Sequence, residues 1–286
     1  MPYKAEISRI NPTAFLFVID RSGSMGDLMP GGISKAQCVS DVMNRIFSEL
    51  ILKCAKDAGA LRNYFDIGVI GYDTTLGVVN PLTGDLANNW LNPISLFENN
   101  PLRIEERQKK VPDGAGGIIE TTTKFQVWFD PMAAGGTPMC AALQTAYDIL
   151  TYWCANHQEA YPPLLVHITD GQSTDGDPEE LGKKIQQLST NDGNALVFNI
   201  HLSSQGGTTA FLPSSAYGLP DNYAEKLFRM SSPLPESMVK QAHQCGKNNV
   251  SIESRCFAYN VNEITDLVEL LDIGTKAAMD AIAMDR

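Results

Sequence analysis

Short runs of apolar residues alternate along this chain with segments of helical periodicity. The runs read AFLFVI (14–19), FDIGVIGYD (65–73), LLVHIT (164–169), ALVFNIHL (195–202) and RCFAYN (255–260). Continuous apolar runs are typical of strands buried on both faces, as in a parallel sheet. Strands that alternate with helices form a sheet covered by helices on both sides. The pattern therefore predicts an α/β fold, a doubly wound, Rossmann-like three-layer sandwich.

The connections between these runs refine the predicted sheet. LGVVN (76–80) follows the second run after only two residues, which favours an antiparallel hairpin. Ser34 and Gln37 form a capping box at the start of one helical segment, and Asp177 precedes Pro178 at the start of another. We expect a mostly parallel central sheet of about six strands with one antiparallel edge strand.

The chain contains no internal repeat and no convincing linker, which favours one domain over 1–286 with a core at about 12–285. Two irregular stretches, 81–130 and 203–235, interrupt the strand–helix alternation and are interpreted as insertions. Within the first, IIETTTKFQVWF predicts an extra strand or hairpin. The charged run IEERQKK (104–110) is interpreted as a solvated helical turn or loop.

Charge and cysteine usage restrict the partners and the compartment. The formal net charge is −11, which argues against nucleic acid or an anionic membrane surface as partner. No apolar run approaches the ~20 residues of a membrane span, and the N-terminus lacks an apolar signal core. The six cysteines form no C-x-x-C pair. These features predict a reduced, cytoplasmic protein.

Three of the predicted strands end in an aspartate: Asp20, Asp73 and Asp170. Sites in open α/β sheets form at the carboxyl ends of strands, so these carboxylates are expected at one rim. Carboxylates at close quarters repel each other unless a cation lies between them. Ser22 and Ser24 can turn back toward Asp20, and Gly23 gives the loop that freedom. A ligand set of oxygens alone selects Mg²⁺, with Mn²⁺ or Ca²⁺ as the other candidates.

The stretch Asp20-Arg21-Ser22-Gly23-Ser24 resembles the D-x-S-x-S motif of von Willebrand factor A (VWA) domains, which belongs to their metal-ion-dependent adhesion site. Gly135-Gly136-Thr137-Pro138 resembles the family's threonine loop, and Ile168-Thr169-Asp170-Gly171 its aspartate loop. The three pieces occur in the family's order. The resemblance implies the metal ligands Asp20, Ser22, Ser24, Thr137 and Asp170. The form of the motifs looks most like bacterial VWA proteins of the TerY type, associated with tellurite resistance.

Several of these residues also have purely structural interpretations. Thr137 precedes a predicted helix start and could cap it. Asp73 is placed among the residues that support the ligands rather than among the ligands. Asp175 and Asp177 are interpreted as turn and cap residues. His167 and His201 lie within strands and are expected to form hydrogen bonds in the core.

The motif favours a non-enzymatic binding module, in which a carboxylate of a partner protein completes the metal's coordination. The alternative is a metal-dependent phosphohydrolase of the haloacid-dehalogenase type, which also carries an aspartate after its first strand. Such enzymes need a second aspartate two residues on, as acid and base, and this chain has Ser22 there. A third interpretation is a metal-free scaffold that keeps only the fold; the complete set of five ligands argues against it.

Overall fold

The computed structural model describes residues 3–55, 61–112, 118–205 and 207–280, so the predicted core limit near 285 and part of the first insertion lie outside the described residues. The strands are β1 (Thr13–Asp20), β2 (Phe65–Asp73), β3 (Gly77–Val79), β4 (Asn92–Pro93), β5 (Arg103–Pro112), β6 (Ile118–Val127), β7 (Leu164–Thr169), β8 (Ser189–Thr190), β9 (Gly193–Asn194), β10 (Leu196–Leu202), β11 (Ala210–Phe211) and β12 (Phe257–Val261).

The helices are α1 (Lys35–Cys54), α2 (Ile94–Glu98), α3 (Met139–Asn156), α4 (Glu179–Gln187), α5 (Asn222–Arg229), α6 (Glu236–Gln244) and α7 (Ile264–Asp280). Helix α1 begins as the capping box predicts, because the Ser34 side chain accepts a hydrogen bond from the backbone N–H of Gln37 at 3.1 Å. Within the described parts of the chain, no helix has the length and apolar character needed to cross a bilayer.

The central sheet has the strand order β11-β12-β10-β7-β1-β2-β3, and the short β4 pairs with β2 beside β3. Strands β12, β10, β7, β1 and β2 are parallel to one another. The edge strands β11, β3 and β4 are antiparallel to the strands with which they pair. The predicted architecture is therefore confirmed. The sheet has eight strands rather than about six, because the two-residue strands β4 and β11 add to its edges.

Strand β1 divides the core into two layers through the alternation of its side chains. Phe15, Phe17 and Ile19 pack on one face, in the layer that receives α1, α2, α6 and α7. Leu16 and Val18 pack on the other face, with α3, α4 and α5. This burial on both faces explains why the strand is a continuous apolar run. The parallel pairing of β1 with β7 and β2 places the carboxyl ends of these three strands side by side.

The interpretation of the charged run at 104–110 as a helical turn or loop is wrong, because these residues belong to β5, which forms a long antiparallel hairpin with β6. Alternate residues of a strand share one face. Glu105 accordingly accepts ion pairs from Arg103 and Arg107, two residues away on either side, at 2.6 and 2.8 Å. The Arg107 guanidinium also lies 3.7 Å from the ring centroid of Phe125 on β6. Of the strand or hairpin predicted for IIETTTKFQVWF, the strand is confirmed as β6.

His167 lies at the centre of the sheet, as its position in a strand predicts. Its two ring nitrogens lie 2.8 Å from the Tyr72 hydroxyl and 2.9 Å from Asn199 Oδ1. The residue is fully buried, and this burial lowers the pKa of His167 to about 4. The neutral imidazole of β7 is therefore joined by side-chain hydrogen bonds to the adjacent strand β10 and, across β1, to β2.

The depressed pKa of His167 predicts a loss of stability in mild acid. Below pH ~6.5 this histidine is protonated in the unfolded chain but stays neutral in the folded chain. The free energy of unfolding therefore falls as pH falls toward 4. At pH 4.5 the loss from His167 alone is expected to be about 2–3 kcal/mol. Denaturant titrations at pH 7 and 4.5 measure it. In His167→Gln, the free energy of unfolding should differ less between pH 7 and pH 4.5, by that amount. An unchanged difference would contradict the assignment.

Candidate metal centre

Asp20 is the last residue of β1, and its side chain is held inside the rim of the sheet. The residue is 1% exposed. Its Oδ1 accepts a hydrogen bond from the backbone N–H of Ser22 at 2.8 Å, and its Oδ2 accepts one from the Thr169 hydroxyl at 2.7 Å. Burial raises the pKa of Asp20, these hydrogen bonds oppose that rise, and the nearby charge of Asp170 adds to it. The carboxylate is thus oriented by two strand ends.

Ser22 and Ser24 extend from Asp20 toward the neighbouring strand. The chain turns through a short 3-10 segment, Gly23–Gly26, which brings the two hydroxyl oxygens to 3.2 Å from each other. The Ser24 hydroxyl then donates to Asp170 Oδ1 at 2.8 Å. Asp170 follows β7 directly. The D-x-S-x-S loop and the aspartate loop therefore meet through side-chain oxygens, as the sequence predicts.

Thr137 reaches the same rim through backbone contacts of its loop. The N–H of Gly23 donates to the carbonyl of Gly135 at 2.9 Å, which joins the threonine loop to the serine loop. The backbone N–H of Thr137 donates to the Thr174 hydroxyl at 3.1 Å, beyond the aspartate loop. Thr137 is 6% exposed. The structure thus places Thr137 between the two other motif loops.

The capping role considered for Thr137 belongs instead to Asp175. The two carboxylate oxygens of Asp175 accept hydrogen bonds from the backbone N–H groups of Cys140 and Ala141, each at 2.9 Å. These amides lie in the first turn of α3 and have no partner within the helix. Asp175, interpreted from the sequence as a turn residue, thus caps a helix that begins 35 residues earlier in the chain. The Thr137 side chain is not needed for this purpose.

Gly135 allows the close approach of the threonine loop and the turn after β2. Its φ is +67°, and an added Cβ would meet the hydroxyl oxygens of Thr74 and Thr75. Gly135→Ala is therefore expected to lower the free energy of unfolding by about 1–3 kcal/mol. Gly31→Ala is the matched control, because Gly31 has open space around it and no positive φ. Equal stabilities of the two variants in denaturant titrations would refute this expectation.

Asp73 stabilises the turn after β2 that contacts the threonine loop. It is fully buried, and its Oδ1 accepts hydrogen bonds from the backbone N–H groups of Thr75 and Leu76 at 2.7 and 2.6 Å. The turn that it fixes carries Thr74, whose hydroxyl accepts from the N–H of Gly136 at 2.6 Å. Asp73 is therefore connected to the threonine loop through the turn. The hydrogen bonds to Asp20 come instead from Ser22 and Thr169.

Lys35 is the residue of this centre that the motifs do not include. Its Nζ donates to Asp170 Oδ2 at 2.8 Å and to the carbonyl of Ser24 at 3.3 Å. The side chains of Lys35 and Asp170 are 5% and 0% exposed, so this ion pair is buried. A second carboxylate, that of Asp27, lies 3.6 Å away but is largely exposed. Without a metal, Lys35 is thus the positive charge that compensates Asp170.

The chemistry of these groups fits a hard divalent cation. Two carboxylates and one ammonium leave a formal charge of −1, which a divalent ion converts to +1. Within the described residues, no three His, Cys, Asp or Glu side chains come together as a metal-binding group. A metal at this rim would therefore depend on the hydroxyls of Ser22, Ser24 and Thr137 beside the carboxylates of Asp20 and Asp170.

A cavity of about 610 Å³ opens directly beside this group. Lys35 and Asp170 line it, and the stretch 203–235 contributes Gly218, Leu219 and Pro220. His201 and Tyr259 complete the wall with their rings stacked at 4.2 Å between centroids. The second insertion therefore lies at the same rim as the five motif residues.

No family model matches the chain, and no curated protein matches its sequence. Two streptococcal pilus proteins and one human coat protein are among the solved structures to which the chain is similar. These are the pilus adhesin RrgA from Streptococcus pneumoniae (TM-score 0.31, 14% identity, 59% of this chain and 21% of that one), the PilB minor pilin from Streptococcus sanguinis (0.45, 11%, 95% and 62%) and the human COPII-coat protein Sec24c (0.32, 14%, 68% and 26%). The chain thus spans between about a fifth and three fifths of their lengths.

Proposed function

We propose that this chain is a VWA-type binding module that holds Mg²⁺ through Asp20, Ser22, Ser24, Thr137 and Asp170. The hydrogen-bonded chain from Ser22 through Ser24 to Asp170 carries this proposal, because it gathers the motif oxygens from two separate strand ends. Mn²⁺ and Ca²⁺ are the other ions that such a set of oxygens accepts.

A carboxylate of a partner protein is the ligand that suits the loaded site best. With the divalent ion bound, two carboxylates and the Lys35 ammonium leave a net positive charge at the rim, and this charge favours an anion. Ser24 and the Gly135 backbone are exposed, so the rim is open to a partner. Acidic groups are stronger ligands of Mg²⁺ than neutral carbonyls or amides.

The neighbouring cavity offers room for the residues that follow the partner's acidic group. Asp170 and Lys35 line it together with residues of the 203–235 insertion, so one segment of a partner could contact metal and cavity together. Specificity among acidic partners would then arise from the insertion rather than from the metal.

A binding role is proposed in preference to phosphate-ester hydrolysis. The position two residues after Asp20 carries the Ser22 hydroxyl, which lies 3.2 Å from that of Ser24 and offers no second carboxylate for proton transfer. With Mg²⁺ and para-nitrophenyl phosphate, the protein is expected to release no nitrophenol above the level of Asp20→Asn. Turnover that Asp20→Asn abolishes would instead support the hydrolase.

The TerY-type relationship and a cytoplasmic location are parts of the same proposal. All six cysteines are free thiols, which is typical of proteins kept in a reducing compartment. Burial raises the pKa of Cys38, Cys54 and Cys154, so these thiols are poor nucleophiles and poor metal ligands.

Calorimetric titration with Mg²⁺ tests the metal site directly. The wild-type protein is expected to bind one ion, and Asp20→Asn should weaken this binding by at least about tenfold, since a charged ligand is lost. Asp27→Asn is the control, because it removes an exposed carboxylate outside the ligand set. Equal affinities of all three proteins would remove the basis of the proposal.

Capture of partners tests the second half of the proposal. Wild type and Asp20→Ala serve as bait in native lysate, each with Mg²⁺ and with chelator. A protein retained only by the wild type and only with Mg²⁺ is the expected result. Equal retention under all four conditions would show that the binding surface lies outside the metal rim.

A further inference from the structure

A second cavity, of about 590 Å³, lies at the opposite end of the sheet from the metal rim. Asp66, the second residue of β2, contributes to its wall, whereas Asp73 at the other end of the same strand belongs to the rim. Seven residues of strand separate the two, which corresponds to roughly 23 Å. The proposed metal centre and partner cavity therefore do not explain this second cavity.

Aromatic side chains form much of its wall. The lining includes Tyr152 and Trp153 of helix α3, His157 directly after this helix, and Trp90 from an earlier segment. The rings of Trp153 and His157 are stacked, with centroids 4.5 Å apart and planes 13° from parallel. Tyr152 is 76% exposed. Four aromatic side chains thus line one cavity that is open to solvent, although Trp153 itself is only 4% exposed.

The position of Trp90 is fixed by the sheet beneath it. A side chain at Gly68 of β2 would collide with the carbonyl oxygen of Trp90, so the backbone of this segment packs directly on the strand. The indole N–H of Trp153 donates to Asp66 Oδ2 at 2.9 Å, which holds the second indole. The backbone at Trp90 and the indole of Trp153 are therefore both held by contacts within the protein.

The cavity carries negative charge and no compensating cation. Asp66 and Asp148 both line it, and none of its ten lining residues is Lys or Arg. The ion pairs among the described residues include neither carboxylate. Asp148 Oδ1 accepts only a neutral amide hydrogen bond, from Gln144 at 2.9 Å.

We propose that this cavity binds an organic cation with an apolar body, such as a guanidinium, amidinium or ammonium group. The aromatic faces attract a cation through their quadrupoles, and the carboxylates accept charge-assisted hydrogen bonds from its N–H groups. A neutral ligand of the same shape gains neither interaction. The cation is supplied either by a free small molecule or by a basic side chain of a peptide.

Indole N–H signals in nitrogen-15-labelled protein provide the test, because the chain has three tryptophans in distinct places. Trp90 and Trp153 line the cavity, whereas Trp128 is buried elsewhere and donates to the Phe97 carbonyl at 2.9 Å. Benzamidine represents the small molecule and N-acetyl-arginine amide the side chain. Benzamide and N-acetyl-citrulline amide are their neutral counterparts.

The expected result is that at least one cationic probe shifts the Trp90 and Trp153 signals in a saturable manner, while Trp128 stays unchanged. The neutral counterparts should bind at least about tenfold more weakly. The tighter of the two cationic probes identifies the source of the natural ligand. Absence of binding by both cations, or equal binding of cations and neutral counterparts, would overturn the proposal.

Two variants separate charge from structure. Asp66→Asn keeps an acceptor for the Trp153 indole but loses the charge, and Asp148→Asn removes the second charge at the surface of α3. Each should weaken the cationic probe several-fold, and the double variant by about tenfold or more. Glu253→Gln removes an exposed charge outside the cavity and should leave binding unchanged. An unaltered affinity in the double variant would also overturn the proposal.

Discussion

Asp170→Asn is expected to lower the free energy of unfolding of the metal-free protein by about 3–5 kcal/mol, a large fraction of the stability of a typical domain. The reason is that the substitution leaves the ammonium of Lys35 buried without its partner at 2.8 Å. Denaturant titration in chelator measures the loss. The same variant should no longer be stabilised by Mg²⁺, because one of the two charged ligands is gone.

Asp27→Asn is the matched control for this experiment. Asp27 also pairs with Lys35, at 3.6 Å, but its side chain is 61% exposed. Exposed ion pairs contribute about 1 kcal/mol or less, so this variant should remain close to wild type. If Asp170→Asn were no more destabilising than Asp27→Asn, Lys35 and Asp170 would not form the buried pair described here.

Lys35→Met is expected to destabilise the metal-free protein and to tighten the binding of Mg²⁺ by roughly tenfold or more. The substitution removes a positive charge that lies 2.8 Å from Asp170 and would repel an incoming cation. The carboxylates of Asp20 and Asp170 are then compensated only when the metal is bound. Unfolding in chelator and in Mg²⁺, together with calorimetry, measures both effects.

Lys35→Arg keeps the charge and serves as the control for this prediction. Its affinity for Mg²⁺ should stay within a few-fold of that of wild type, even if the longer guanidinium packs less well than the ammonium. Weaker Mg²⁺ binding in Lys35→Met than in wild type would contradict the account, because Lys35 would then assist the metal rather than oppose it.

Local patterns were sufficient to predict the core of the fold. The continuous apolar runs identify β1, β2, β7 and β10 almost to the residue, because strands buried on both faces need apolar side chains at every position. The short spacing after β2 identifies its antiparallel neighbour β3. The two-residue strands β4 and β11 carry no periodic pattern, and their pairing depends on contacts between distant segments.

The charged hairpin strand β5 shows where pattern reasoning fails. The charge of IEERQKK predicts a solvated helical turn or loop, yet Arg103, Glu105 and Arg107 alternate along one strand and pair their charges there. A two-residue period in charge rather than in hydropathy was the signal available in the sequence. Its partner strand β6 contains several β-branched residues, which favour a strand.

At the metal centre, motif spacing predicts which oxygens lie close together. It does not predict which group compensates the negative charge of the carboxylates. Lys35 lies 11 residues beyond Ser24, and its contact with Asp170 depends on how α1 crosses the rim. One signal was present: Lys35 is the first residue of α1, where the helix dipole disfavours a cation unless an acid lies nearby. The capping of α3 by Asp175 likewise depends on the meeting of two loops.

The most direct test of the central claim uses Mn²⁺ as a paramagnetic substitute for Mg²⁺ and carbon-13-labelled acetate as the carboxylate. Acetate is titrated into Mn²⁺-loaded wild type and into Asp20→Asn at equal total Mn²⁺, and the broadening of its carboxyl signal is measured. The account predicts saturable excess broadening with wild type, lost in Asp20→Asn and upon addition of excess Mg²⁺. Equal broadening in both proteins would contradict the claim that this rim holds a metal open to a partner's carboxylate.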